Sequence, residues 1–326
     1  MADADTREVW RALGRDGLLD EANVDSLLYT LDARHPVGTV LSVCVQIATA
    51  LPILRAAPDT EPVIKARDAA QRGEAMLALA VTDSAASGSD LMSLGTTAAL
   101  TDDTVRINGG KSWITNACTA DYALVLARHR PQHHFTSFLW VLVPTGAPGV
   151  HTERAGGRLF DGSGLGHLRF DDVVLDRDHL LGPPGRGLPT FARHVATERI
   201  VGWHWARAIC RRVLTDTYQR LNARGLWGND AIRARFARCL VELRRLDGMA
   251  ADNDPLSSML LKAATAESLD LVLTECVQLQ GADAFRPDGP AALRAETAMF
   301  GIAGGASGAM LSGIAEHAAG LLGITP

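Results

Sequence analysis

What most constrains this chain is the order of its periodicities. Helical spacing comes first, then about a hundred residues of short β-type runs, then helical spacing again. Up to residue 73, VWRALGRDGLL places apolar residues at helical intervals, and the run from Gly38 is unbroken to Pro52. Near residue 75 the pattern shortens to AMLALAVTD, TTAALTDDTVRINGG, KSWITN, DYALVLARHR and SFLWVLVPTG, with D-D and N-G-G as turn signals. GLGHLRFDDVVL closes the series near residue 175, GPPGRGL is a loop, and helical spacing returns from Pro189. Strands segregated from helices predict an α+β fold, mainly α. The expected segments are a helical N-domain at 1–74, a β-domain at 75–182 and a helical domain at 183–326. The alternation of a Rossmann fold is missing, and neither a G-x-G-x-x-G after a strand nor a Walker A motif occurs.

Composition narrows the function classes. Charged residues make up 21% and apolar residues 47%, so a packed core is expected. The net charge is −5 with no basic segment, which argues against nucleic acid as a partner. The five cysteines form no C-x-x-C pair, so no metal site and no disulfide framework are expected, and most should act as small core hydrophobes. His133-His134 is expected in an exposed loop rather than at a metal. The acidic N-terminus has no apolar h-region, so a cytoplasmic location without a secretory signal is expected. Residues 36–54 and 297–315 are uncharged and long enough to span a bilayer. The first contains Ser42, Gln46 and Pro52 and the second five glycines, so buried helices are expected, not membrane spans.

Six segments carry chemical signals. AVTDSAASGSD, residues 80–90, is a small-residue turn whose backbone N–H groups suit an anion or a flavin edge. INGGKSWITNA, residues 107–117, puts Trp113 and Thr115 after a turn, where an indole serves either as a core aromatic or as a stacking face. The others are FDDVVLDRDHLLGPPGRGL (170–188), TERIVGWHWARA (197–208), RGLWG (224–228) and QLQGADAF (278–285).

Together, in this order, they resemble the acyl-CoA dehydrogenase family. Val81, Thr82 and Asp83 with Gly88-Ser89-Asp90 are similar to its V-T-E-P-x-A-G-S-D turn. Asn108 to Asn116 is similar to N-G-x-K-x-W-I-T-N, Arg224 to Gly228 to R-x-x-F-G, and Gln278 to Phe285 to Q-x-x-G-G-x-G-Y. The resemblance covers roughly residues 38–310. It implies a helical N-domain, a central β-domain and a C-terminal four-helix bundle, with FAD between the last two. Val81, Thr82, Trp113 and Thr115 would line the isoalloxazine, and Ser89 would lie near the pyrophosphate and the thioester arm, with Arg199 on the substrate side. Arg224, Trp227 and Gln278 would contact the adenosine half of a cofactor shared with a neighbouring subunit, implying a homodimer or homotetramer.

Two departures matter. The N-domain is shorter than the family's usual one. The family's C-terminal I-Y-E-G-T-S-E reads Ile302 to Gly308 here, with glycine where the carboxylate belongs. A subset resembling isovaleryl-CoA and long-chain acyl-CoA dehydrogenases places its base as a Glu just before an Arg, and Glu198-Arg199 matches that pair. On helical spacing Glu198 shares a face with Phe191, Val195, Gly202 and Trp205. Two readings of Glu198 stand: a general base whose burial suits proton transfer, or a carboxylate paired with Arg199 or Arg193.

The resemblance therefore implies an FAD-dependent acyl-thioester dehydrogenase. Its substrate would be an acyl-CoA or an acyl-carrier-protein, and an electron-transfer flavoprotein or O2 would be its acceptor. The alternatives are oxidation of a hydroxyacyl or aminoacyl carrier-protein thioester, and a non-redox member of the fold with a decayed flavin site.

Overall fold

The computed structural model describes residues 2–19, 24–83, 90–157, 159–249, 252 and 254–324. The chain divides into two compact units, 1–23 with 36–198 and 24–35 with 199–326.

The first unit holds α1 (Ala2–Arg15), whose Trp10 is fully buried and donates from Nε1 to Ala75 O at 2.8 Å. After α2 (Val24–Arg34), which belongs to the second unit, a single apolar helix covers Val37–Arg55. It consists of α3 (Val37–Val45), a wide π-helical turn (Gln46–Ala50) and α4 (Leu51–Arg55). It is long and apolar enough to cross a membrane by length and composition, but 89% of its apolar window is buried inside the protein, as expected of a core helix. Pro52 does not end it. The wide turn absorbs the missing N–H, and the α-helix resumes at Leu51 and runs to Arg55. Val40, Val43, Leu51 and Leu54 are wholly buried, each contributing about 1.5–3 kcal/mol. The last helix before the sheet is α5 (Glu61–Gln71).

The sheet comprises β1 (Leu77–Ala80), β2 (Thr97–Leu100), β3 (Thr104–Ile114), β4 (Tyr122–Arg128), β5 (Phe138–Pro144), β6 (Val150–Arg154) and β7 (Gly166–Asp176). Its order is β1-β4-β2-β3-β7-β6, with β5 on β4. β1 pairs parallel with β4, while β2/β3, β3/β7, β4/β5 and β6/β7 are antiparallel. The unbroken apolar runs of β4 and β5 are buried along almost their whole length, whereas β3 alternates. Val105, Ile107, Val125, Val141, Val143 and Phe170 belong to one core cluster.

α6 (Gly187–Ala223) begins in the first unit and continues into the second, which also holds α7 (Asp230–Asp247), α8 (Pro255–Gln280), α9 (Pro290–Thr297), α10 (Ser307–Ala315) and α11 (Ala318–Leu321). Asn229 caps α7 through the N–H groups of Ala231 and Ile232, and Asp254 caps α8 through that of Ser257, with Pro255 at the first helical position. Asp32 ties α2 into this unit, accepting from Trp205 Nε1 at 3.2 Å and Arg212 Nε at 2.7 Å. Trp203 and Trp205 are core residues at 6% and 2% exposure. Cys44, Cys210, Cys239 and Cys276 are buried as expected, and Cys118 is half-buried.

The expectation of a buried helix over 297–315 is overturned. α9 passes into a 3-10 turn at Ala298–Gly301, the chain turns at 302–305, and α10 starts afresh. Ile302 is 71% exposed and Leu311 49%. Gly304 and Gly305 take φ of 69° and 102°, which no helix continues through. The bundle's last helical layer is therefore broken into short pieces.

Candidate active site

In the first unit, a buried ion pair fixes the backbone on which Val81, Thr82 and Trp113 sit. Lys111 lies on an inward position of β3 and is wholly buried. Its ammonium donates to Asp83 and, at 2.8 Å, to Val81 O. Asp83 also accepts from the N–H groups of Gly95 and Thr96 and from Thr96 Oγ1 at 3.0 Å. Ser112 N donates to Thr82 O at 2.9 Å. Burial, opposed by the charge of Asp83, pulls the Lys111 ammonium down to about 8.

Trp113 is 62% exposed, with φ of 57°. The β3/β7 register shifts between Lys111 and Ile114, and this irregularity re-aims the indole. Its ring meets His167 edge-on at 5.5 Å. A large aromatic kept in solvent on left-handed backbone is strained without gaining burial, as expected of a surface that stacks on a ligand. Thr115 is half-buried in the following turn. Asn116, also left-handed at 66°, anchors that turn: its Oδ1 accepts from Ser42 Oγ at 2.6 Å and its Nδ2 donates to Leu77 O at 2.9 Å. Ser89 lies outside the described residues.

Glu198 is half-buried on α6, in the first unit. Trp140 fixes the start of that helix, donating from Nε1 to Gly187 O at 2.8 Å and packing on Phe191 at 6.3 Å. The Glu198 carboxylate accepts from Thr49 Oγ1 at 3.1 Å. Thr49 is fully buried in the wide turn of the apolar helix.

In the second unit, Arg199 donates from Nε to Gly304 O at 3.1 Å and from Nη1 to Ser258 Oγ at 2.9 Å. It thus holds the turn that contains Gly304 and Gly305. A Cβ on Gly305 would meet Met310 Cε at 2.7 Å on backbone already at φ 102°. Arg224, Trp227 and Gln278 gather at one end of this unit. Arg224 donates to Gln280 O at 3.2 Å and lies 3.7 Å from Asp283, with half its side chain exposed. Trp227 packs edge-on against Tyr218 at 4.8 Å and Phe236 at 5.3 Å. Gln278 accepts from Arg235, which also bonds Glu275 at 2.7 Å. Among the described residues no group of acidic, histidine or cysteine side chains could hold a metal.

Sequence reasoning missed Thr49, and no sequence signal marks it. Lys111 could have been found, because a charge at an inward position of an alternating strand requires a buried partner.

The family model described as "Acyl-CoA dehydrogenase, middle domain" matches residues 78–173, nearly the whole sheet. Over these residues the chain is an acyl-CoA dehydrogenase middle domain. It is 26% identical over 248 residues to the acyl-CoA dehydrogenase AFT10-1 of Alternaria alternata, covering 67% of this chain and 55% of that one. It is 29% identical over 164 residues to the acyl-CoA dehydrogenase IpdE1 of Mycobacterium tuberculosis, 50% of this chain and 42% of that one. The chain thus spans about half the length of these curated acyl-CoA dehydrogenases. It matches the acyl-[acyl-carrier-protein] dehydrogenase MbtN of a Mycobacterium species at 25% over 86% of this chain and 78% of that one. A glutaryl-CoA dehydrogenase from Mycobacterium smegmatis in complex with FADH2 superposes with a TM-score of 0.88 at 19% identity, covering 98% of this chain and 89% of that one. At that identity the likeness establishes the acyl-CoA dehydrogenase fold.

Proposed function

We propose that this chain is an FAD-dependent acyl-thioester dehydrogenase that desaturates the α,β bond, with Glu198 as the base. The observation that carries the reading is the half-buried Glu198 carboxylate, held by the Thr49 hydroxyl at 3.1 Å. The alternative C-terminal position offers only Gly304 and Gly305.

The residues present fit a flavin dinucleotide. The exposed Trp113 indole offers a stacking face on a backbone held by Lys111 and Asp83, and Thr115 offers a hydroxyl in the next turn. The half-exposed fork of Arg224 suits a phosphate. When bound, FAD supplies the acceptor for the hydride that leaves the β-carbon. The thioester carbonyl acidifies the α-hydrogen, and Glu198 takes that hydrogen as a proton on its carboxylate. The handle is CoA or a phosphopantetheinyl carrier. The 86% coverage by a relative named for a carrier-protein substrate supports including the latter.

The test is flavin bleaching of FAD-loaded protein by octanoyl-, isovaleryl- and hydroxyacyl-thioesters, each on CoA and on a carrier protein. Glu198→Gln should retain FAD and fold while bleaching slows by about 10²–10⁴. Bleaching at the parent rate would put the base elsewhere and leave Glu198 a structural carboxylate. A colourless protein that cannot be reconstituted would remove the redox reading altogether.

A further inference from the structure

We infer that Thr49 is a positioning residue for Glu198, holding its carboxylate in the orientation and charge state from which it takes a proton. This rests on reading Glu198 as the base.

The helix over 37–55 has Arg55 as its only charged residue and four buried polar side chains on its way there, Thr39, Ser42, Gln46 and Thr49. Three of them make neutral structural bonds. Thr39 bonds Thr6 at 2.8 Å, Ser42 donates to Asn116 at 2.6 Å, and Gln46 accepts from Leu77 N at 2.8 Å. Thr49 instead donates to an ionisable side chain.

A threonine inside a helix can return its hydroxyl to the carbonyl four residues back. Thr30, Thr215 and Thr265 do so in this chain, to Ser26, Arg211 and Leu261 at 2.9, 2.8 and 2.7 Å. Thr49 differs from these three, and its place in the helix supplies the reason. On a regular helix Thr49 would share a face with Ser42 and Gln46, whose bonds run to Asn116 and β1. Pro52 brings no N–H and its ring crowds the carbonyl of Ala48. The helix widens instead, and Leu51 N bonds Gln46 O, five residues back. The wide turn frees Thr49 from the regular register and leaves its hydroxyl for α6.

A hydroxyl donating to a carboxylate favours the charged form. α6 carries Arg193 and His194 before Glu198 and Arg199 after it. Burial and then the charge of Arg193 hold the His194 imidazole below its usual range. The apolar helix adds the buried Cys44 and Arg55, which donates to Leu19 O at 2.9 Å. β1, packed on the wide turn, has no titratable side chain.

The experiment compares FAD-loaded parent, Thr49→Val, Thr49→Ser and Glu198→Gln, following thioester-driven bleaching against pH. Thr49→Val should slow bleaching about tenfold and move the acid limb up by about half to one pH unit, the scale of one lost hydrogen bond. Thr49→Ser should restore the parent limb, and the shift should persist in a His194→Gln background. Glu198→Gln inactive with a parent-like profile in Thr49→Val would overturn this inference while leaving the base assignment intact. Parent-rate bleaching by Glu198→Gln would instead overturn the assignment on which it rests. If Thr49→Val does not load FAD, Thr49→Ala against Thr49→Ser makes the same comparison. A shift in alanine but not in serine supports the inference, and identical limbs overturn it.

Discussion

The ammonium of Lys111 and the carboxylate of Asp83 meet inside the first unit with side-chain exposures of 0% and 3%, locking the end of β1 to the strand that presents Trp113. Both segments that the family resemblance assigns to the flavin ring thus depend on one buried ion pair.

Lys111→Met should therefore cost about 3–5 kcal/mol, since Asp83 is left buried without its counter-charge, and should lower FAD retention. The pair also sets a pH dependence. The unfolded chain holds the Lys111 proton up to its ordinary value of 10.5, whereas the folded chain releases it at about 8. Between those values the unfolded state binds more protons, so stability rises with pH. The penalty of the buried charge is present in full below about 8. Unfolding free energies from denaturant titration should rise across this window in the parent by up to about 1.4 kcal/mol per pH unit, and the rise should be smaller in Lys111→Met. Equal slopes would show that this lysine does not titrate there.

Trp113 separates binding from folding. Its backbone has φ of 57° and its side chain is 62% exposed, so Trp113→Gly relieves strain and loses little burial. We expect it to be more stable than Trp113→Ala by about 1 kcal/mol, and both variants to lose FAD more readily than the parent. FAD affinity equal to the parent's in both would remove the indole from the cofactor site.

Moving the carboxylate to the family's usual place should fail. Glu198→Gln/Gly305→Glu puts a side chain on backbone at φ 102°, with Met310 Cε 2.7 Å from the new Cβ. The double variant should bleach as slowly as Glu198→Gln alone. Recovery of the parent rate would show that the glycine turn can present a base.

Arg224 tests assembly. With its side chain half exposed and anchored to Gln280 O, it presents a planar fork that lysine does not reproduce. Arg224→Lys should weaken FAD retention, and light scattering of the loaded parent should report an oligomer. A flavin-loaded monomer would exclude a cofactor site shared between subunits.

Much of this protein was legible in its sequence because local patterns carry it. The switch from helical to short β-type runs marked the sheet, and INGGKSWITN marked the strand end bearing Trp113, because turn residues act over a few positions. The same locality misled at 297–315. An apolar, uncharged stretch reads as a buried helix, but paired glycines at 304 and 305 adopt left-handed backbone and divide it. The helix expected over 36–54 does form, but nothing local announced the wide turn that carries it past Pro52. Only the tertiary structure decided which side chains meet. Thr49 and Glu198 are 149 residues apart, and Asp83 finds Lys111 through the pairing of separate strands. Such contacts follow from how elements pack and register, and a buried hydroxyl or ammonium takes the partner that packing brings within reach, which neighbouring residues in the chain do not specify.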